Sequence, residues 1–412
     1  MKNNIKKNFI YNTVGSVLYS MTSLFFMIIV TRVNGLDESG IFTFAFSAAC
    51  LFWVIGVYSG RVYQVTERDK YITDSDYIYT KIITCMVMLI IGFIYLIFKH
   101  YDMYKFTVML LLIIYKILNA FAESLYAIIQ KKDELYKVGI SLFLKAVFEI
   151  VIFLIVNLLT KNLIYSSLSL IASEAIILLF YDFGILKLYK FKITKFNGKN
   201  NLKILKFGFP VFVFTILTQY LINAPKYAID NNLTDEAQSI FGMLSMIATL
   251  TVMLSQLILH PYLNSMNEDL KRNSSKDFNR KVFKICLLII GIGIIESIFG
   301  YLIGTSLLGV LYGIDLSHYN FLLLIIIIGS IFYSIVSVLS NALIAMRENN
   351  SQTLIFIIDS IILYFLSDYM VKQFNIDGAA YSYFIGMAIL LVIFIMLYIF
   401  KIKKINGDMN EN

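Results

Sequence analysis

The stretch FIYNTVGSVLYSMTSLFFMIIVTRVNGLDESGIF, residues 9–42, decides how the rest of the chain is read. From Phe9 to Thr31 it carries no charge, and a charge first appears at Arg32. A hydrocarbon core about 30 Å thick takes roughly 20 apolar residues per helical crossing, so this run is long enough to span. It lacks the small-residue cleavage site of a signal peptide and is read as a first spanning helix. A short acidic turn follows, Gly35-Leu36-Asp37-Glu38-Ser39-Gly40, and Ile41-Phe42 opens the next apolar run.

The same pattern continues to the end of the chain. Hydropathy predicts twelve spans, near 9–32, 40–60, 78–98, 106–129, 138–159, 163–183, 207–230, 238–262, 284–308, 320–344, 352–371 and 378–400. Across 412 residues, 59% are hydrophobic and 15% charged, with a mean hydropathy of +0.76. Soluble proteins carry about 45–50% apolar and about 25% charged residues, which excludes a water-soluble globule. Disorder is excluded by the same figures. The apolar runs are continuous and do not alternate every second residue, which argues against an outer-membrane barrel. The expected fold is an all-α polytopic membrane protein.

Basic residues orient it. An even number of spans puts both termini on one face. That face collects 26 Lys and Arg, including Lys2, Lys6 and Lys7, Arg61, Arg68 and Lys70, seven lysines from Lys187 to Lys206, Arg347, and Lys401, Lys403 and Lys404. The opposite face has only 4: Lys99, Lys105, Lys161 and Lys372. By the positive-inside rule both termini are expected in the cytoplasm. The net charge of +8 therefore reflects topology and anchoring on anionic headgroups, and no nucleic-acid partner is expected. Cys50, Cys85 and Cys286 all lie inside apolar runs, so neither a disulfide framework nor a metal site is expected.

The predicted outer turns are about ten residues or shorter, and no inner segment is long enough for a nucleotide-binding domain. Catalytic chemistry is hard to place in such a chain. The two halves also look related. Phe9…Arg32-Val33-Asn34-Gly35-Leu36-Asp37-Glu38-Ser39-Gly40-Ile41-Phe42 is echoed by Phe207…Ile229-Asp230-Asn231-Asn232-Leu233-Thr234-Asp235-Glu236-Ala237-Gln238-Ser239-Ile240-Phe241. Each copy is a long span, a short acidic turn and an Ile-Phe opening. A parallel repeat is expected: a six-helix lobe at 1–186, a basic connector at 187–206 and a second lobe at 207–412. Repeats of this kind build transporters.

Short outer turns of the Gly-Leu-Asp-Glu-Ser-Gly-Ile-Phe kind, Phe207-Gly208-Phe209-Pro210, Asn223-Ala224-Pro225-Lys226-Tyr227-Ala228-Ile229-Asp230 and Asp377-Gly378-Ala379-Ala380 together resemble a known family. They are similar to Wzx-type flippases, the polysaccharide branch of the multidrug/oligosaccharidyl-lipid/polysaccharide exporter superfamily. The resemblance covers nearly the whole chain in pattern. It implies a bacterial cytoplasmic-membrane transporter working by alternating access, with an undecaprenyl-diphosphate-linked saccharide as cargo. Membrane lipids and polysaccharide-assembly proteins would be its partners, and it implies no cofactor.

Charges at membrane depth cost about 2.5–3.5 kcal/mol on insertion scales and so point to cavities or partners. In the fourth span Lys116, Asn119, Glu123, Tyr126 and Gln130 share one helix face. This stripe fits either interhelical hydrogen bonding or the wall of a wet cavity. In the seventh, Thr215, Gln219, Asn223, Lys226 and Asp230 form a similar stripe around Pro225. There Lys226 and Asp230, one turn apart, either neutralise each other or face cargo. Lys145 and Glu149 are also one turn apart and read as a self-compensating pair. Arg61 reads as a topology anchor or a diphosphate ligand, and Arg32 and Lys81 as snorkelling cations. For an anionic lipid headgroup, Lys116, Lys145 and Lys226, with Arg61, would supply the positive field. Glu296, Asp359 and Asp230 are candidates for coupling to a cation gradient. Gly56/Gly60, Gly300/Gly304 and Gly309/Gly313 read as close-packing pairs. A cation-coupled drug antiporter of the same superfamily is the alternative reading. A membrane enzyme acting on polyprenyl glycans is disfavoured by the short outer turns, and a non-transporting scaffold stays open.

Overall fold

The computed structural model describes residues 2–67, 69–272, 274–346 and 348–410. Arg68 and Arg347 of the basic-face tally lie outside them. The described chain is almost wholly helical, and it is a multi-pass membrane protein. Eleven helical stretches are long and apolar enough to cross a membrane. They are Lys6–Asn34, Leu36–Val65, Asp74–Lys99, Met103–Lys131, Leu135–Thr160, Leu163–Leu188, Gly198–Asn232, Asp235–Leu270, Ser275–Tyr312, Ser317–Ala345 and Ser351–Lys403.

The last stretch, 53 residues, would be about 80 Å long as one helix, far more than a bilayer core. It folds back at Asn375, whose backbone leaves the helical region at φ 52° and ψ −134°. Contacts on either side run antiparallel. Phe374 meets Tyr381 at 6.2 Å and Phe356 meets Phe394 at 5.1 Å between ring centroids. At Gly378 a side chain would collide with the Met370 carbonyl. The eleven stretches therefore make twelve crossings, called here the first to twelfth spans.

Helix starts follow local chemistry. Thr73 and Asp76 form a reciprocal capping box at the third span. Asp102, Asn162 and Thr234 accept from the first free amides of the fourth, sixth and eighth spans. Several helices overrun the predicted boundaries on the basic face. The seventh begins at Gly198, so the second half of the segment expected as a connector is helical, and the eighth helix continues to Lys271. The seventh runs unbroken through Pro210 and Pro225.

Two compact units are present, residues 1–219 and 220–412. In the first, Phe26, Phe42 and Phe153 form an aromatic core joining the first, second and fifth spans, with centroid separations of 4.8 to 6.3 Å. The first and fifth spans touch backbone to backbone at Gly15 and Gly139, where a methyl on either residue would collide with the other helix. In the second unit Gly300 and Gly304 lie against Ile327 and Leu323 of the tenth span.

Three expectations change. Gly60 and Gly313 are not packing residues. Both have positive φ, 74° and 76°, and they serve a turn and a helix C-cap that suit glycine. Lys81 does not snorkel. It is 8% exposed, and its Nζ donates at 2.6 Å to the Val57 carbonyl, one of the orphan acceptors at the end of the second helix.

Candidate functional site: a polar cavity in the first unit

The cavity begins with a flaw in the first span. Its helix breaks at Met21, between Lys2–Ser20 and Thr22–Asn34. The local sequence Tyr19-Ser20-Met21-Thr22-Ser23 supplies hydroxyls that compete for backbone acceptors. Ser20 donates to the Val17 carbonyl at 2.7 Å and Thr22 to the Tyr19 carbonyl at 2.9 Å. The break turns Tyr19, Ser20, Thr22 and Ser23 toward the polar stripe of the fourth span. Together they line a cavity of about 310 Å³, to which Lys116, Asn119, Glu123, Tyr126, Lys145, Glu174 and Gln219 contribute. Aromatic wall comes from Phe46 and from Trp53, the chain's single tryptophan.

Of the sequence candidates, Lys116, Asn119, Glu123, Tyr126, Lys145 and Gln219 thus meet in one cavity. Their electrostatics differ. Lys116 makes no ion pair among the described residues. Its ammonium lies 4.3 Å from the centroid of Phe46 and 5.0 Å from that of Tyr115. Ring faces attract a cation without neutralising it.

Lys145 behaves otherwise, and the expected Lys145–Glu149 pair does not form. Lys145 is 1% exposed and binds Glu174 at 2.6 Å and Asp182 at 3.1 Å, both from the sixth span. Asp182 ends a wide helical turn, Leu178–Asp182, which re-aims its side chain inward. It also accepts from Ser141 at 2.6 Å, and Ser141 is 3.0 Å from the Tyr126 hydroxyl. Glu149 instead accepts from Tyr115 at 2.9 Å. Helical spacing shows which residues share a face, but the closer carboxylates came from a neighbouring helix. Lys145 therefore organises the cavity floor, and its charge is already matched.

Arg61 ends the second span, half-buried, with Nε 3.7 Å from Glu123. Both line a narrow pocket beside Gln64, Lys81 and Ser124. Thr215 bonds its own helix, donating to the Val211 carbonyl at 2.8 Å.

The remaining candidates belong to the second unit. Asn223 is 6% exposed, and Lys226 and Asp230 are half-buried; all three engage neighbouring groups. Glu296 is half-buried, with Thr251 as its polar neighbour. Asp359 is 0% exposed, and neither carboxylate oxygen has a hydrogen-bond partner among the described residues.

Sequence reading missed Tyr19 and Trp53. The polar cluster at residues 19–23 inside an apolar run was the available signal. Tyr19 donates to Asn119 at 2.6 Å and ties the broken first helix to the fourth.

No family model matches the chain. Among curated proteins it is similar to the capsular polysaccharide biosynthesis protein CapF of Staphylococcus aureus. Identity is 23% over 409 residues, covering 95% of this chain and 98% of that one. Among solved structures it is similar to an inward-facing multidrug resistance MATE family transporter of the MOP superfamily. The TM-score is 0.75 at 11% identity, covering 97% of this chain and 99% of that one. It is also similar to the Vibrio cholerae MATE transporter VcmN in the bent form, with TM-score 0.62 and 11% identity over 98% of each chain. The fold is that of these MATE transporters. Within that fold, the likeness to a capsule-biosynthesis protein agrees with the polysaccharide-flippase resemblance read from the sequence.

Proposed function

We propose that this protein moves an undecaprenyl-diphosphate-linked oligosaccharide, a repeat unit of a bacterial surface polysaccharide, from the cytoplasmic to the outer leaflet by alternating access. The observation that carries the reading is Lys116: a cation at membrane depth, making no direct ion pair among the described residues, in a cavity also lined by Trp53 and several hydroxyls. A diphosphate needs a positive field, and an ammonium on a flexible stem can follow a moving phosphate. Sugars need hydroxyl and amide partners and an aromatic face, which Tyr19, Asn119, Gln219 and Trp53 supply. The similarity to CapF, named for capsular polysaccharide biosynthesis, supports the same cargo class.

In this reading both termini are cytoplasmic, polysaccharide-assembly proteins are partners, and the protein sits in the cytoplasmic membrane. Within the first unit Arg61 adds to the positive field and Thr215 to the polar lining; within the second, Lys226 and Asn223 are the candidates for the same two roles. Coupling to a cation gradient falls to Asp359, Glu296 and Asp230. Asp359 is the strongest of these, because a buried carboxylate without a partner suits reversible binding of a proton or metal cation.

The lone carboxylate also favours a second reading, a cation-coupled drug antiporter. One reconstitution separates the two. Proteoliposomes carrying a lipid-linked oligosaccharide should expose it on the far leaflet, read by a lectin or glycosidase added outside. Gradient-driven loss of a cationic dye with no oligosaccharide exposure would establish the antiporter instead.

A further inference from the structure

The second unit carries an open apolar groove of about 870 Å³, and none of the candidate site residues above lines it. The ninth, tenth and twelfth spans form its walls, through Phe283, Ile290, Ile294, Ile335 and Ile395 among others. On the ninth span it runs from Asn279 to Ile298, about 28 Å at the helical rise, which is nearly the whole hydrocarbon depth. Several walls open outward: Ile294 is 55% and Ile395 40% exposed. At one end a side-chain hydrogen bond closes it, where Tyr398 donates to Asn279 at 2.9 Å, and Ser297 lines the other end. One turn before Asn279 on the ninth helix lies exposed Lys276, and exposed Arg280 directly follows Asn279 at the edge of the groove face. Exposed Lys403 lies on the twelfth, one turn past the groove residue Ile399. None of the three makes an ion pair among the described residues.

We propose that this groove holds the polyisoprenoid tail of the cargo lipid, with the phosphate end beside Lys276, Arg280 and Lys403. The proposal rests on the flippase reading above. Charge complementarity sets the direction: an anionic head meets cations only at the end marked by the Asn279–Tyr398 bond. Length selects the occupant. A phospholipid acyl chain stops near the midplane, about 15 Å in, and would fill half of the groove. A long polyprenyl chain can follow all of it. The tail then stays in an apolar path while the polar head moves through the protein.

Native mass spectrometry of the full-length protein in detergent tests this. The probes are undecaprenyl phosphate, farnesyl phosphate and phosphatidylglycerol at equal concentrations. Undecaprenyl phosphate should be retained about tenfold better than either of the others, since added buried methylenes strengthen binding. Ile294→Trp and Ile395→Trp, which fill the groove from its lipid-exposed walls, should each abolish that advantage. Ile303→Trp, at another exposed position on the ninth helix, should leave it. Lys276→Ala/Arg280→Ala changes only exposed side chains and should lower retention of undecaprenyl phosphate about fivefold. Equal retention of all three lipids marks an unselective lipid seam and overturns the proposal. So does a folded double-alanine variant, or either Trp variant, that binds like wild type. Oligosaccharide flipping measured in parallel keeps the two ideas apart. Flipping without selective retention removes the groove assignment alone, whereas selective retention without flipping removes the transport reading.

Discussion

At the scale of residues, two lysines that line one cavity do opposite work. Lys145 is enclosed by Glu174 and Asp182, and removing it leaves two buried carboxylates without their cation. Breaking such a buried network costs about 3–5 kcal/mol. Lys145→Ala should therefore lower the melting temperature sharply in detergent, and adding Glu174→Gln and Asp182→Asn should restore most of the loss. Lys116 makes no ion pair among the described residues, so Lys116→Ala should cost no more than about 2 kcal/mol, the upper worth of its ring contacts, in the same assay. A larger loss there would mean that Lys116 holds the fold together beyond its ring contacts with Phe46 and Tyr115. The polar stripe 116–126 was legible from the 3.6-residue period. The partners of Lys145 were not, because Glu174 and Asp182 lie 29 and 37 positions away in sequence and only packing of the fifth helix on the sixth brings them close.

At the scale of elements, continuous apolar runs announced every crossing, and hydropathy already separated the pair at 352–371 and 378–400 that the helix 351–403 runs together. Helix interruptions inside runs left weaker traces. The break at Met21 is written in hydroxyl side chains, and the wide turn ending at Asp182 has no sequence signal that we can name. The crossing of the first and fifth spans depends on Gly15 and Gly139, which are unremarkable in sequence. Gly139→Val should block that approach and leave the protein unfolded or aggregated, read by size-exclusion chromatography. Gly184→Ala, with nothing within 4 Å of the added methyl, should elute like wild type.

The turn between the fourth and fifth spans adds a pH-dependent clamp. Glu134 is partly shielded, which raises its carboxyl, but bonds from Lys137 at 2.7 Å and from Tyr189 outweigh this and hold it below the usual range. A carboxyl depressed by folding stabilises above its unfolded pKa, and that contribution fades as pH falls. The difference in melting temperature between wild type and Glu134→Gln should thus be present at pH 7 and shrink toward pH 4.

At the scale of the whole molecule, the 26-to-4 distribution of basic residues predicts, by the positive-inside rule, that both termini are cytoplasmic. A reporter that works only in the cytoplasm should be active when fused to either end, and a split result would redraw the topology. Fold class and span count were open to sequence reading because membrane insertion imposes length, hydropathy and charge rules on every segment. The cargo site was only half legible: composition marks polar residues at depth, while their pairing depends on neighbouring helices. The central claim is that the Lys116 ammonium, which makes no direct ion pair among the described residues, serves an anionic lipid-linked saccharide. Its most direct measurement is the rate of oligosaccharide exposure on the far leaflet of proteoliposomes holding equal amounts of wild type, Lys116→Ala or Lys116→Arg. Lys116→Ala should fall at least about tenfold, the worth of one charge-assisted contact, with Lys116→Arg between the two. Exposure by Lys116→Ala at the wild-type rate would contradict the claim.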